Sequence, residues 1–321
     1  MKNKNIWFLC CLVAGLFTLA SCKKESQNIF NMFTDVTVTY NGTHPFSVTD
    51  YKLVNDGDSV YIDYTVNSAE EDMYFITVEK VGGASGNSPE RTVTPITNEA
   101  ERRSYSRVLK FRMQRDGKTT YRVFASNSKN VFIGDGYKSV TIEGRPSYTF
   151  LANRFVYAPD TLEKIRPSFY SIAQGTTFSY TNGFSNSAAI DFGIWRRQDV
   201  PPRQNMFVYN LYALDRTPNP LTVYDVSTWT KRATRFSTIR SGGTNIFLYT
   251  LTSSSIIESN ARSANPNLTG TASTTSPAAL SAGNIVYFVT PEGKYGCILV
   301  NAVAKDYEGR DYLSISVKVQ R

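Results

Sequence analysis

Between residues 34 and 144 apolar and polar side chains alternate with a period of two. Val36, Val38 and Tyr40 share one face, with Thr37 and Thr39 on the other; Val60, Ile62, Tyr64 and Val66 alternate with Tyr61, Asp63 and Thr65. Successive strand side chains point to opposite faces, so this pattern gives each strand one buried and one solvated face, and it does not fit a helix. Further strands are predicted over residues 73–81, 108–113, 120–125 and 137–142, separated by turn-forming segments such as Gly82-Gly83-Ala84-Ser85-Gly86. About six or seven short strands in about 110 residues, without a strong helical pattern, predict a β-sandwich.

Gly144-Arg145-Pro146-Ser147 closes this stretch. Proline cannot donate to a ladder and pushes the preceding residue towards extended geometry, so a boundary is placed here, between a first domain over 34–144 and a second over 145–321. The second region is expected to be β-rich with a few short helices, which makes the whole chain all-β with two domains. Ile190, Phe192 and Ile194 face one way, while Ala189, Asp191, Gly193 and Trp195 face the other. Residues 206–214 are apolar on both faces, as in a central strand covered on both sides. A short helix capped by Ser227 is expected within 227–239, and another within 248–261. The chain closes with strands over 285–290 and 295–304. In a last strand Leu313, Ile315, Val317 and Val319 alternate with Ser314, Ser316, Lys318 and Gln320, which predicts one buried and one wet face.

The N-terminus carries its own pattern. Lys2 and Lys4 precede an apolar run over 6–19, too short for the roughly 20 residues of a spanning helix. Leu19-Ala20-Ser21-Cys22 follows and resembles the lipobox of bacterial lipoproteins. The resemblance implies a signal peptide over 1–21, diacylglycerol on Cys22, acylation of the new amino group and a lipidated tether over 22–33. An ordinary secretory signal with a chance Cys is the alternative. Two acyl chains would anchor the protein stably, where one would not. Cys22-Lys23-Lys24-Glu25-Ser26 resembles the Lys-plus-acid signal that directs Bacteroidota lipoproteins to the outer face of the outer membrane, though it has one acid where the pattern has two. The run from Thr290 to Val300, with Gly293-Lys294-Tyr295-Gly296, resembles a segment of uncharacterised Bacteroidota surface lipoproteins. Thr120 to Asn127 followed by Lys138 to Ile142 resembles the end of a fibronectin type III or similar immunoglobulin-like module. That likeness implies a corner hydrogen bond from Tyr121.

Counting reactive residues narrows the chemistry. Of four cysteines, Cys10 and Cys11 leave with the signal and Cys22 is lipidated, so only Cys297 remains, expected as a small buried side chain. No disulfide can form within such a chain. His44 is the one histidine, in a turn-like segment, which excludes multi-His zinc sites and weakens any His-activated nucleophile. No carboxylate pair can be nominated for glycoside hydrolysis. Ser126-Asn127-Ser128-Lys129 matches Ser-x-x-Lys by coincidence, since it falls in an inter-strand loop without partner motifs. Asp56-Gly57-Asp58 reads as a calcium loop or, more simply, a turn. Losing Lys2 and Lys4 lowers the formal net charge by two from +8, to +6, and no basic run suggests nucleic acid. No cofactor or metal is expected.

With 20 Tyr, 19 Phe and 3 Trp the chain is rich in aromatics. Trp195, with Asp191 on one strand face, and Trp229 are candidates for stacking on sugar rings; both Trp residues can equally be core. Ser59 and Thr161 lie in Asp-Ser/Thr-apolar triplets resembling the Bacteroidota O-glycosylation sequon, a pattern short enough to recur by chance. These features predict a non-catalytic, lipid-anchored protein of the outer membrane that faces the exterior and binds a glycan or an extracellular partner, as accessories of nutrient uptake do. A structural or adhesive subunit of a surface assembly is the alternative.

Overall fold

The computed structural model describes residues 36–82, 89–198, 207–272 and 279–321; the expected signal, Cys22 and the expected tether lie outside them. Eight strands come first: β1 (Val36–Tyr40), β2 (Tyr51–Val54), β3 (Ser59–Ser68), β4 (Phe75–Val81), β5 (Glu90–Pro95), β6 (Ser104–Arg112), β7 (Gly117–Ser126) and β8 (Phe132–Gly144). They form a three-stranded sheet, β1-β3-β6, and a five-stranded sheet, β2-β8-β7-β4-β5. All pairings are antiparallel except β2 with β8. Val60, Ile62, Tyr64 and Val66 from one sheet meet Ile76, Val123, Val140 and Ile142 from the other in a single buried core. This is the β-sandwich that the period-two pattern predicts. Among the described residues Tyr121 does not make the expected corner bond; its ring lies against Phe111, and Tyr40 ties distant segments by donating to the Lys138 carbonyl at 2.7 Å.

Edge strand β5 is held from outside. Glu79 on β4 stands opposite Arg91 on β5 and Arg122 on β7, and its carboxylate is ion-paired with both guanidiniums (2.8 Å to Arg91). Glu79 is buried, and these arginines offset what burial of its charge costs.

The second region adds β9 (Tyr148–Tyr157), β10 (Phe169–Ser171), β11 (Thr176–Phe178), α1 (Tyr180–Gly183), β12 (Phe192–Gln198), β13 (Phe207–Ala213), β14 (Arg235–Phe236), α2 (Ser254–Ala264), β15 (Ile285–Val289), β16 (Tyr295–Lys305) and β17 (Asp311–Gln320). Sheets β11-β10-β12-β13 and β14-β15-β16-β17-β9 enclose a core that includes Phe192, Ile194, Leu211, Phe288, Ile298 and Val317. Among the described residues no sheet combines strands from before Gly144 with strands after it. Both outer faces are also covered: α2 and a π-helical turn (Ile246–Thr250) pack on the five-stranded sheet, and residues 221–229 pack on the four-stranded one. Strands covered on both faces explain the long apolar runs. β13 is an edge strand rather than a central one; loop residues close its edge, with Ala213 donating to Thr269 and Thr271 to Leu211. Residues 227–234 form no helix and lead into β14, which corrects the helix expected after Ser227. Gly293, in the β15–β16 turn, has φ +80, a conformation that favours glycine.

The two halves meet through aspartates. Asp56, in the β2–β3 turn, accepts from the Ser255 amide at 2.6 Å and its hydroxyl at 2.8 Å, at the start of α2. That first turn has no acid of its own, so Asp56 supplies the anion its dipole favours. Asp116, in the β6–β7 turn, takes the Ser147 amide and hydroxyl, both at 2.6 Å. The Asp56-Gly57-Asp58 triplet is thus a turn and a latch.

The last strand departs from its predicted wet face. β17 is paired with β16 and β9, and Ser314, Ser316 and Lys318 are buried along with the apolar residues between them. Lys318 lies under the π-helical turn and donates to the carbonyls of Phe247 and Leu251, both at 2.7 Å, among the rings of Tyr148, Phe150 and Phe247. Burial lowers its ammonium to about 8. Free Lys titrates near 10.4, so between these values the unfolded chain holds a proton that the folded chain has lost. The stability of the native chain relative to Lys318→Met therefore rises with pH from about 8 to about 10, at up to about 1.4 kcal/mol per unit. Paired urea melts at pH 7.5 and pH 10 measure it, with the variant subtracting the tyrosine background.

Candidate functional site

Inner-face positions of a sandwich are normally apolar, but β5 places Glu90, Thr92 and Thr94 there and turns its one large apolar residue, Val93, outward, where it is 46% exposed. Its neighbour across the gap, β6, presents Arg107 in the same inward series as Tyr105, Leu109 and Phe111. Both are edge strands, each paired on one side only. The sheets therefore fail to close along this side and leave a cleft of about 420 Å³, within the roughly 300–1,000 Å³ of small-ligand sites.

Tyr64, Tyr105 and Tyr121 floor the cleft and are themselves mostly buried. Burial pushes the phenols of Tyr64 and Tyr121 up to about 12; Tyr105 adds to this at Tyr64 and Glu90 at Tyr121, while Arg107 and Arg115, respectively, pull the other way. Both phenols stay protonated at neutral pH and can donate hydrogen bonds. Arg107 is fixed by its Nε, which donates to the Tyr105 hydroxyl at 2.8 Å. A second cavity of about 350 Å³ adjoins the first, sharing Lys80, Glu90, Phe111 and Tyr121. It extends towards the junction of the halves, where Arg112, Arg115 and Tyr249 line it. The Lys80–Glu90 ion pair, 3.3 Å long, belongs to both cavities.

The residues nominated from sequence lie elsewhere, and the structure buries two of them, Asp191 and Trp229, in the second region. Asp191 is completely buried: its carboxylate accepts from the Ile172 amide at 2.7 Å, Arg232 Nε at 2.9 Å and the Thr234 hydroxyl at 3.1 Å. Burial raises its carboxyl above the usual carboxylate range, against the pull of Arg232 and these donors. Arg232 also reaches Glu292 at 2.6 Å, and that contact holds Glu292 at about 2. Asp191 thus ties β10, the strand approach at 234 and the β15–β16 turn, with no oxygen facing solvent. Trp229 is buried against Phe169 and stacked on Tyr180. Trp195 packs at the margin of the same cluster, with Arg216 over its ring. Asp191 and Trp229 are thus closed to a ligand, while Trp195 is half-buried.

Cys297 is free and buried, and burial raises its thiol. His44 sits in an exposed turn against Phe46 and Tyr61. Ser126 ends β7 and Asn127 to Asn130 form the following β-turn, where the Asn127 side chain accepts from the Lys129 and Val131 amides. Ser59 is half-buried at the start of β3, and Thr161 is exposed after β9. Among the described residues no three His, Cys, Asp or Glu side chains converge as metal ligands would, and no helix is long and apolar enough to cross a membrane.

No family model matches the chain, and no curated protein matches it in sequence. Among solved structures, the CARDB domain of the PF1109 protein from Pyrococcus furiosus, crystallised with di-metal ions, is similar over 35% of this chain and 94% of its own, at 8% identity and TM-score 0.23. A chitin-binding domain from Burkholderia pseudomallei is similar over 30% of this chain, at 11% identity and TM-score 0.21; 57% of that chain is covered. At these TM-scores the likenesses carry no argument about ligand or activity.

The burial of Asp191 and Trp229 sets the outcome of mutating them. Asp191→Ala leaves Arg232 without its buried partner and costs about 3–5 kcal/mol, and Trp229→Ala costs about 3–5 kcal/mol through the cavity it opens. Chemical denaturation of each variant measures this, and both losses appear without any ligand present.

Proposed function

We propose that the chain is a non-catalytic, lipid-anchored protein of the outer membrane that captures a glycan in the cleft between β5 and β6. The cleft is the observation that carries the reading. It is preformed and open, floored by tyrosines, and lined by the hydroxyls of Thr92 and Thr94 with Lys80, Glu90 and Arg107 beside them. Aromatic surface with a few convergent polar groups suits a ring that presents both an apolar face and hydroxyls. The anchor rests on Leu19-Ala20-Ser21-Cys22, and exterior exposure on Lys23-Lys24-Glu25.

The structural or adhesive reading has one observation in its favour: β5 and β6 offer unpaired backbone edges, with Val93, Val108 and Leu109 exposed along them. Against donation of the terminal strand stands β17, which already has a partner on each side.

Two measurements test the proposal. In a diderm host the native chain sediments with outer membranes and incorporates a labelled fatty acid, and Cys22→Ala loses both; incorporation unchanged in the variant would refute the anchor. On a glycan array the full chain in mild detergent retains at least one glycan, and Thr92→Trp, which fills the cleft from an exposed position, weakens that retention roughly tenfold or more, the loss expected when about 1.4 kcal/mol of contact is removed. Retention of nothing by the native chain would end the capture reading.

A further inference from the structure

The charges around the cleft are not balanced. Arg107 lines the first cavity and Arg112 and Arg115 the second, and none of the three forms an ion pair with a carboxylate among the described residues. Several arginines elsewhere are paired, Arg91 and Arg122 with Glu79, Arg103 with Asp72, Arg232 with Asp191 and Glu292, and Arg235 with Asp215, whereas these three are gathered without a carboxylate partner along one pair of adjoining cavities. The cleft holds one acid, Glu90, and Lys80 already neutralises it. Arg115 is the most telling of the three. It is half-buried beside Tyr121 and Tyr148, and its neighbour Asp116 directs both carboxylate oxygens to Ser147. Arg107 is held in place by Tyr105, which leaves its remaining N–H groups free to face a ligand.

We infer that the ligand is an anionic glycan, one whose sugar units carry carboxylate or sulfate groups. This rests on the capture reading above and narrows it. Guanidinium groups take a carboxylate or sulfate by paired N–H donors, with more directional preference than an ammonium. Thr92, Thr94 and the Tyr121 phenol are left for the neutral hydroxyls, and Glu90 can accept from one. An acidic peptide or a nucleic acid would use the arginines but would leave the threonine hydroxyls of β5 without a role.

The test uses the full chain in mild detergent and titration calorimetry against polygalacturonate, chondroitin sulfate, neutral amylopectin and mannan, poly-glutamate and a DNA oligonucleotide. Binding of polygalacturonate or chondroitin sulfate is expected; binding of polygalacturonate shows that carboxylates alone suffice, and binding of chondroitin sulfate, which carries both groups, without polygalacturonate assigns the sulfate. It should weaken as salt rises from about 0.05 to about 0.5 M. Arg107→Gln and Arg115→Gln should each weaken it roughly tenfold, the scale of a lost charge-assisted hydrogen bond, and Arg107→Lys should recover part of the loss. Arg107 is exposed on an edge strand, so its variants keep the fold even if Arg115→Gln does not. Binding of amylopectin or mannan but of neither acidic polymer overturns the inference and leaves the capture reading standing. Binding of no polysaccharide overturns both. Poly-glutamate or DNA bound as tightly as the acidic glycans, or acidic-glycan binding indifferent to Arg107, also overturns the inference.

Discussion

A β-sandwich closes when both inner faces supply apolar side chains along their full width. In the first half of this chain β3, β4, β7 and β8 do so, and β5 does not. Its inward residues are Glu90, Thr92 and Thr94, and burying them against the opposite sheet would strand hydroxyls and a carboxylate without partners, at roughly 1–3 kcal/mol each. The sheets therefore part on that side. A strand that contributes so little to the core would fray unless something else retained it. The Arg91–Glu79–Arg122 ladder on the outer face does this, crossing β5, β4 and β7 in register. A strong outer-face interaction is thus what allows a polar inner face, and the polar inner face is what opens the cleft.

The rear of the cleft depends on the junction. Arg112, Arg115 and Tyr249 come together there because the β6–β7 turn is tied to residues 147 and 252, through Asp116 to Ser147 and through the Thr252 hydroxyl to Gln114 at 3.0 Å. With Asp56 on Ser255, these bonds fix α2 against the first half. They are polar and local rather than a broad apolar seam. The geometry of the second cavity is therefore as firm as this small hydrogen-bond set, and a change at Asp56 or Asp116 would alter the cleft without touching it.

Where side-chain alternation tracked burial, the strands were legible in the sequence: β3, with Val60, Ile62, Tyr64 and Val66, is where the pattern put it. β5 was missed because Glu-Arg-Thr-Val-Thr-Pro has a single apolar residue and no period-two signal. The site was missed with it, although a strand-length segment rich in Thr and charge between two strong strands is the trace such an open edge leaves. Lys318 misled in the opposite direction. A Ser-Ser-Lys-Gln face reads as solvated, since sequence alone cannot say that α2 and the π-helical turn lie across it and offer two carbonyls to the ammonium. Asp191 and Trp195 were assigned a shared strand face, but its exposure could not be read: residues 221–229 pack on Phe169 and Tyr212 beside Trp195, and Arg232 and Thr234 close over Asp191, both tertiary facts. Trp229, nominated as a platform, is part of that cover.

The cleft's electrostatics also bear on how a capture protein of this kind would work. Unpaired guanidiniums attract an anionic polymer over about a Debye length, roughly 8 Å at physiological salt, so they raise encounter rate more than they raise residence time. Grip has to come from contact with the tyrosine floor and the threonine hydroxyls, and a shallow cleft bounded by two strand edges supplies only a modest amount. A polymer with repeated acidic units changes that balance when many copies share one surface, because each further contact is intramolecular and avidity can exceed single-site affinity by about 10²–10⁴. The proposed lipid anchor would supply that shared surface, so a weak, open, positively charged site and a membrane tether fit one another in a way that neither a deep pocket nor a soluble monomer would require.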